Sequence, residues 1–210
     1  MSPDCKVIAE HPADPGRLRA VVDARVALVQ AGSDPKAKDA GLATLRVNYK
    51  LCTDEFSQWL AVEHSTFELK ARIDRAPIIR WDYDRDAHSK PSSHVQVTAH
   101  RGALSHLLSQ LGHPTPHSLE SLHIPTGGER FRPCLEDVVE FLIVDCGFRG
   151  KCAWRRVVRE GRAKWRRIQT GVVVRDAPAV AADVLRRMGY TVTPPDGGDP
   201  PERLHKLHGW

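Results

Sequence analysis

Between residues 44 and 100 the chain alternates in character at every second residue. Thr44, Arg46, Asn48 and Lys50 interleave with Leu45, Val47, Tyr49 and Leu51. Phe67, Leu69, Ala71 and Ile73 interleave with Glu68, Lys70, Arg72 and Asp74, and Ile79, Trp81 and Tyr83 with Arg80, Asp82 and Asp84. Val95, Val97 and Ala99 then alternate with His94, Gln96, Thr98 and His100. Only an extended chain has a side-chain period of two, so these runs are strands with one apolar and one polar face. The runs are joined by short connections, which permit antiparallel pairing and leave no room for crossover helices. With Gln58–Glu63 as a return strand, the expectation is an antiparallel meander of about five strands.

The apolar face of such a sheet must be covered. Residues 16–31, opened by Pro15-Gly16, place Leu18, Val21, Val22, Leu28 and Val29 at roughly helical spacing. Residues 133–146 do the same with Leu135, Val138, Val139, Leu142 and Cys146. There Pro133 suits a first helical turn, and Glu136 and Asp137 suit its positive end. The expected fold class is α+β: an antiparallel β-meander covered by helices, with a basic helical C-terminal extension. Residues 1–146 form the sheet domain, 147–193 the basic helical extension and 194–210 a Pro/Gly-rich tail. The first fifteen residues read as an irregular lead, 103–111 as a helix, 153–168 as a basic helix, 172–175 as an extended run and 178–188 as a further helix.

A chain of 210 residues, 41% hydrophobic and 27% charged, has material for one domain with additions. That balance excludes collagen, a coiled coil and a disulfide scaffold. No run reaches the ~20 apolar residues that span a bilayer, and the first ten residues lack a signal-peptide core. A cytoplasmic protein without membrane contact is expected. Five cysteines, an odd number with no CxxC pair, read as free thiols rather than a zinc knuckle.

Three regions carry candidate chemistry. Seven of the eleven histidines lie between 88 and 123, and alternation puts His94 and His100 on one face. If the strand bearing Asp82 and Asp84 pairs alongside, that face collects two imidazoles and two carboxylates. Such a set suits a divalent metal held by Asp82, Asp84, His94 and His100, acid–base chemistry on a phosphodiester, or a solvated polar face. The second region is Leu122-His-Ile-Pro-Thr-Gly-Gly-Glu-Arg-Phe-Arg-Pro. Gly127 and Gly128 can turn their amides into an anion-accepting nest, Arg130 and Arg132 supply forked donors, and His123 is near in sequence. The bland alternative is a loop whose arginines pair with Glu129, Glu136 or Asp137.

The third region holds the charge. Residues 149–170 carry nine basic residues against one acid, Glu160, a net +8. The overall charge is +5, so the remainder carries −3. Arg155, Arg159, Arg162 and Arg166 recur at helical spacing, with Arg156, Lys164 and Arg167 beside them. Such a face attracts phosphate backbones without reading sequence. Trp154, Val158 and Trp165 share a separate stripe, as core anchors or as platforms for unpaired bases.

Residues 44–146 resemble TumE-type toxins of bacterial toxin–antitoxin pairs. The likeness is carried by Arg80-Trp81-Asp82, then His88, His94 and His100, then Glu136-Asp137 opening the closing helix. It implies a toxin-like nuclease. The leading expectation is therefore a nucleic-acid-acting protein, a metal-independent nuclease with no resident cofactor. His94, His100 and His123 would work as acid–base groups, Arg130 and Arg132 would stabilise the phosphorane, and the basic helix would hold the backbone. The alternative is a non-catalytic or antitoxin-like module docking DNA or an acidic protein through that helix.

Overall fold

A computed structural model of the chain describes residues 4–10, 18–32, 41–54 and 60–209. Seven strands form one antiparallel sheet in sequence order: β1 (Asp4–Glu10), β2 (Arg19–Val29), β3 (Gly41–Thr53), β4 (Leu60–Ala71), β5 (Ile79–Asp84), β6 (Ser93–Val97) and β7 (Ile124–Pro125). The class is α+β, as expected, but the meander has seven strands rather than about five. Residues 60–71 form one continuous strand where two runs were expected; Gln58 and Trp59 lie outside the described residues.

The largest correction is at residues 16–31. Residues 19–29 are β2, not a helix, and residues 16 and 17 lie outside the described residues. In β2, Val22, Ala24 and Val26 pair with Tyr49, Val47 and Leu45, while Asp23 and Arg25 fall opposite Asn48 and Arg46. Period-2 alternation was present there but masked, because Val21, Ala27 and Val29 on the other face are apolar too. Four valines in eleven residues favour a strand. The lead also contains a strand, β1, on the edge of the sheet.

The apolar face behaves as its alternation demands. Ala43, Leu45 and Val47 of β3 and Phe67 and Leu69 of β4 are buried against Val138 and Leu142. Those two belong to α3 (Leu135–Val144), which lies across the sheet. Trp81 meets Phe141 edge to face, with ring centroids 5.8 Å apart. Helix α3 begins two residues after Pro133. Cys134 caps it, its amide donating to Asp137 Oδ2 at 3.0 Å.

The remaining helices are α1 (Gly102–Gln110), α2 (Gly128–Phe131), α4 (Trp154–Asp176), α5 (Pro178–Arg187) and α6 (Leu204–Leu207). Helix α4 runs through 172–175, which is therefore not extended; in a long helix three successive valines cost only a few tenths of a kcal/mol each. It packs on α3, burying Val158 and half-burying Trp154 and Trp165. The Trp–Val stripe is thus a packing seam. Gly161 faces Glu136 so closely that a Cβ would overlap the glutamate side chain. The molecule is layered: sheet, then α3, then α4. Residues 203–209 return to the body, with the Arg203 amide donating to Asp176 O at 2.9 Å and Lys206 Nζ 2.6 Å from Glu129 Oε1. No described helix is long and apolar enough to cross a membrane.

Candidate functional site

The polar face of the sheet carries a charge ladder that strand pairing dictates. Arg46 stands opposite Glu68, and Glu68 opposite Arg80. Arg46 Nη2 reaches Asp23 Oδ2 at 3.1 Å, and Arg80 Nη2 reaches Asp82 Oδ2 at 2.8 Å. Glu68 lies 3.8 Å from both arginines. Opposite charges stand directly across β3, β4 and β5, with Asp23 reaching Arg46 diagonally from β2, and they favour this register and this polar face.

At the β5–β6 end of this ladder is a buried cluster. Asp82 stands directly opposite His94 and opposite Thr66. The Thr66 hydroxyl donates to Asp82 Oδ1 at 2.8 Å. His94 is 1% exposed, its Nδ1–H donates to the Pro91 carbonyl at 2.9 Å, and its Nε2 lies 3.8 Å from Asp82 Oδ2. The His123 ring packs on it edge to face, centroids 4.6 Å apart. Gln96 donates from Nε2 to Glu120 O at 2.9 Å and approaches His123 Nε2 at 3.4 Å. Burial holds both imidazoles below the usual histidine range, and the Lys90 ammonium adds to this at each. Both rings are therefore neutral near pH 7. Beside them an open groove of about 210 Å³ is lined by Ala76, Pro77, Arg80, Gln96, Thr98 and Glu120.

Of the three candidate histidines, the structure brings His94 and His123 together but not His100. Strand β6 ends at Val97, so alternation does not carry His100 onto the same face, and it is exposed. Asp84 faces His64 across β4–β5 and accepts the Asp86 amide at 3.1 Å, away from His94. The four-residue metal set at Asp82, Asp84, His94 and His100 is thus not assembled. Among the described residues no three His, Cys, Asp or Glu side chains gather as ligands. Thr66, Arg80 and Lys90 were not foreseen as members of the cluster, whereas Gln96 stood on the expected face beside His94. The signal for Thr66 and Arg80 was their place in the polar half of the alternation.

The glycine–arginine loop is bound up with its own chain. Gly127 and Gly128 both have positive φ, +86° and +67°, whereas a nest alternates right- and left-handed residues. Arg130 donates from Nε to Asp176 Oδ2 at 2.5 Å and lies 3.3 Å from Glu129 Oε2. Asp176 ends α4, where a carboxylate opposes the helix dipole and needs a cation. Gly209 lies against Gly128. Arg132 is buried, its guanidinium carbon 3.8 Å above the Tyr83 ring and 5.7 Å from the Trp165 ring, and it donates to the Glu129 carbonyl.

On α4 the basic residues divide. Arg162 donates from Nε to Asp137 Oδ1 at 2.6 Å and from Nη2 to Glu140, so it fastens α4 to α3. The other six candidates, Arg155, Arg156, Arg159, Lys164, Arg166 and Arg167, are exposed, as is Arg175 in the last turn of the helix. Arg156 makes a solvent-facing i,i+4 pair with Glu160 at 3.3 Å, and Arg155 lies 4.8 Å over the Trp154 ring. Among the described residues Arg155, Arg159, Lys164, Arg166 and Arg167 have no ion-pair partner.

The histidine cluster and this basic surface lie on opposite sides of the sheet. Asp82 and His94 project from the face opposite Trp81 and Tyr83, whereas α4 stands beyond α3 on the Trp81 side. No family model, no curated protein and no solved structure matches the chain.

Proposed function

We propose that the protein is a nucleic-acid-binding protein that holds a phosphate backbone on the outer face of α4. The observation that carries this reading is the set of six exposed cations between residues 155 and 167 of one helix, five of them without a carboxylate partner among the described residues. At about 100° per residue, Arg155, Arg159 and Arg166 share one side and Arg156 and Arg167 the next. Five of the six are arginines, whose forked donors match phosphate oxygens in pairs. That composition favours a phosphate backbone over an acidic protein. Such contacts set affinity and salt dependence without reading bases. The placement of the histidines across the sheet favours the binding reading over a nuclease that grips and cleaves one strand in one cleft.

Fluorescence anisotropy of labelled single-stranded RNA and duplex DNA tests this. The Arg159→Glu/Arg166→Glu protein is expected to bind at least about tenfold more weakly than wild type, a loss of ~1.4 kcal/mol or more, with its melting temperature unchanged. Undiminished binding by that variant overturns the reading. Binding of polyglutamate but of neither nucleic acid points instead to an acidic protein partner.

A further inference from the structure

The cations of α4 do not form a single row. Each helical residue advances by about 100°, so Arg155, Arg159 and Arg166 lie within about 40° of one another on one flank. Lys164 and Arg175 fall about 180–200° from Arg155, on the opposite flank, and both are exposed. Between the flanks, about 80–120° from Arg155, runs a ridge of Arg156, Ala163, Arg167 and Val174. Val158 and Asp176, the buried residues of the helix, lie about 300° from Arg155, so the ridge is turned directly away from the body. Glu160, the one acid on this exposed arc, is matched by Arg156. A helix laid against a single phosphate backbone uses one flank, whereas cations on both flanks can meet two backbones at once.

The surface between those cations says which nucleic acid suits it. The major groove of B-form DNA is ~12 Å wide and takes a helix ~10–12 Å across. Val157 and Ile168 are 58% and 55% exposed on the flank of Lys164. Apolar side chains on a basic surface match the C5-methyl groups of thymine, which the major groove presents. No aromatic ring stands on the exposed arc: Trp154 and Trp165 turn inward and are half-buried, so the bases of a single strand find no stacking platform there. Duplex RNA has a major groove too deep and narrow for side chains to read. We propose, on the reading that α4 binds phosphate, that α4 lies in the major groove of duplex DNA. Arg155, Arg159 and Arg166 hold one backbone, and Lys164 and Arg175 hold the other.

Anisotropy titrations of the full chain with duplex DNA, duplex RNA and single-stranded DNA of equal length test the proposal. Duplex DNA is expected to bind at least about tenfold more tightly than either of the others. The Lys164→Ala/Arg175→Ala protein is expected to bind duplex DNA about tenfold more weakly than wild type, with its Tm unchanged. At saturation the wild type is expected to shield guanine N7, a major-groove atom, from dimethyl sulfate, and the minor-groove ligand distamycin is expected not to displace it. Duplex RNA or single strands bound as tightly as duplex DNA, binding indifferent to Lys164 and Arg175, unshielded N7, or displacement by distamycin overturns the groove insertion. Each of those results leaves phosphate binding by the Arg155, Arg159 and Arg166 flank standing. A wild type that binds none of the three nucleic acids overturns that reading as well.

Discussion

Arg162 Nε donates to Asp137 Oδ1 at 2.6 Å, and this contact separates one arginine of α4 from its neighbours. Its side chain is 17% exposed, and it also meets Glu140. Arg159, less than one turn away, faces solvent. Arg162→Ala is expected to lower stability by about 1–2 kcal/mol, a figure discounted for the partly exposed carboxylates. Arg159→Ala is expected to leave stability within about 0.5 kcal/mol while weakening nucleic-acid binding. Denaturant melts and anisotropy on both variants check the pair; equal melts for the two contradict the docking role of Arg162.

The buried imidazoles set a pH dependence. His94 and His123 are held below their unfolded value of 6.5 by burial first, with Lys90 lowering both and Arg80 lowering His123. The Asp82 carboxylate opposes this at each ring but does not overcome it. The unfolded chain therefore binds more protons below that value, and stability rises with pH in that range. Stability is expected to be fully present above pH 6.5 and to fall as pH drops through the folded pKa values. Melting curves across that range, compared with His94→Gln, measure it. A wild type whose stability rises on acidification contradicts the assignment.

Asp82 is the hub of the polar face, receiving Thr66 and Arg80 and facing His94. Asp82→Ala leaves a half-buried guanidinium and a buried imidazole without their carboxylate. The expected cost is about 2–4 kcal/mol, larger than for Thr66→Ala, which removes one hydrogen bond worth about 1 kcal/mol. Urea melts of the two variants give the comparison.

The thiols differ by position. Cys5, Cys146 and Cys152 are exposed, while Cys52 and Cys134 are buried. Cys134 Sγ donates to Asp137 Oδ2 at 3.1 Å, and Cys52 Sγ accepts from Arg85 Nη1 at 3.3 Å. Three thiols are expected to react with a maleimide in the native protein, and all five after unfolding. Native labelling of Cys134, read by peptide mass spectrometry, contradicts the seating of α3.

The legible part of this fold was the part whose two faces differ in polarity. Leu45, Val47, Phe67 and Leu69 announced the core, and Arg80 and Asp82 the polar side, because strand geometry forces the alternation. Residues 19–29 hid theirs, since Val21 and Val29 are apolar on the face where Asp23 and Arg25 are polar. Asp82 opposite His94 followed once β5 and β6 were adjacent. The exclusion of His100 did not follow, because it depends on where β6 stops. The ties from Arg130 to Asp176 and from Arg162 to Asp137 span 46 and 25 residues. No local pattern announces such pairs, so structural arginines and free ones looked alike in the sequence.

The salt dependence of nucleic-acid affinity tests the binding face most directly. Neutralising Z phosphates on duplex DNA gives a slope of log K against log salt near −0.9Z. Contacts from Arg155, Arg159 and Arg166 alone correspond to a slope of about −3. The Arg159→Ala/Arg166→Ala protein is expected to bind with a slope shallower by about 2. A slope unchanged in that variant, or wild-type binding indifferent to salt, would contradict a phosphate-holding role for α4.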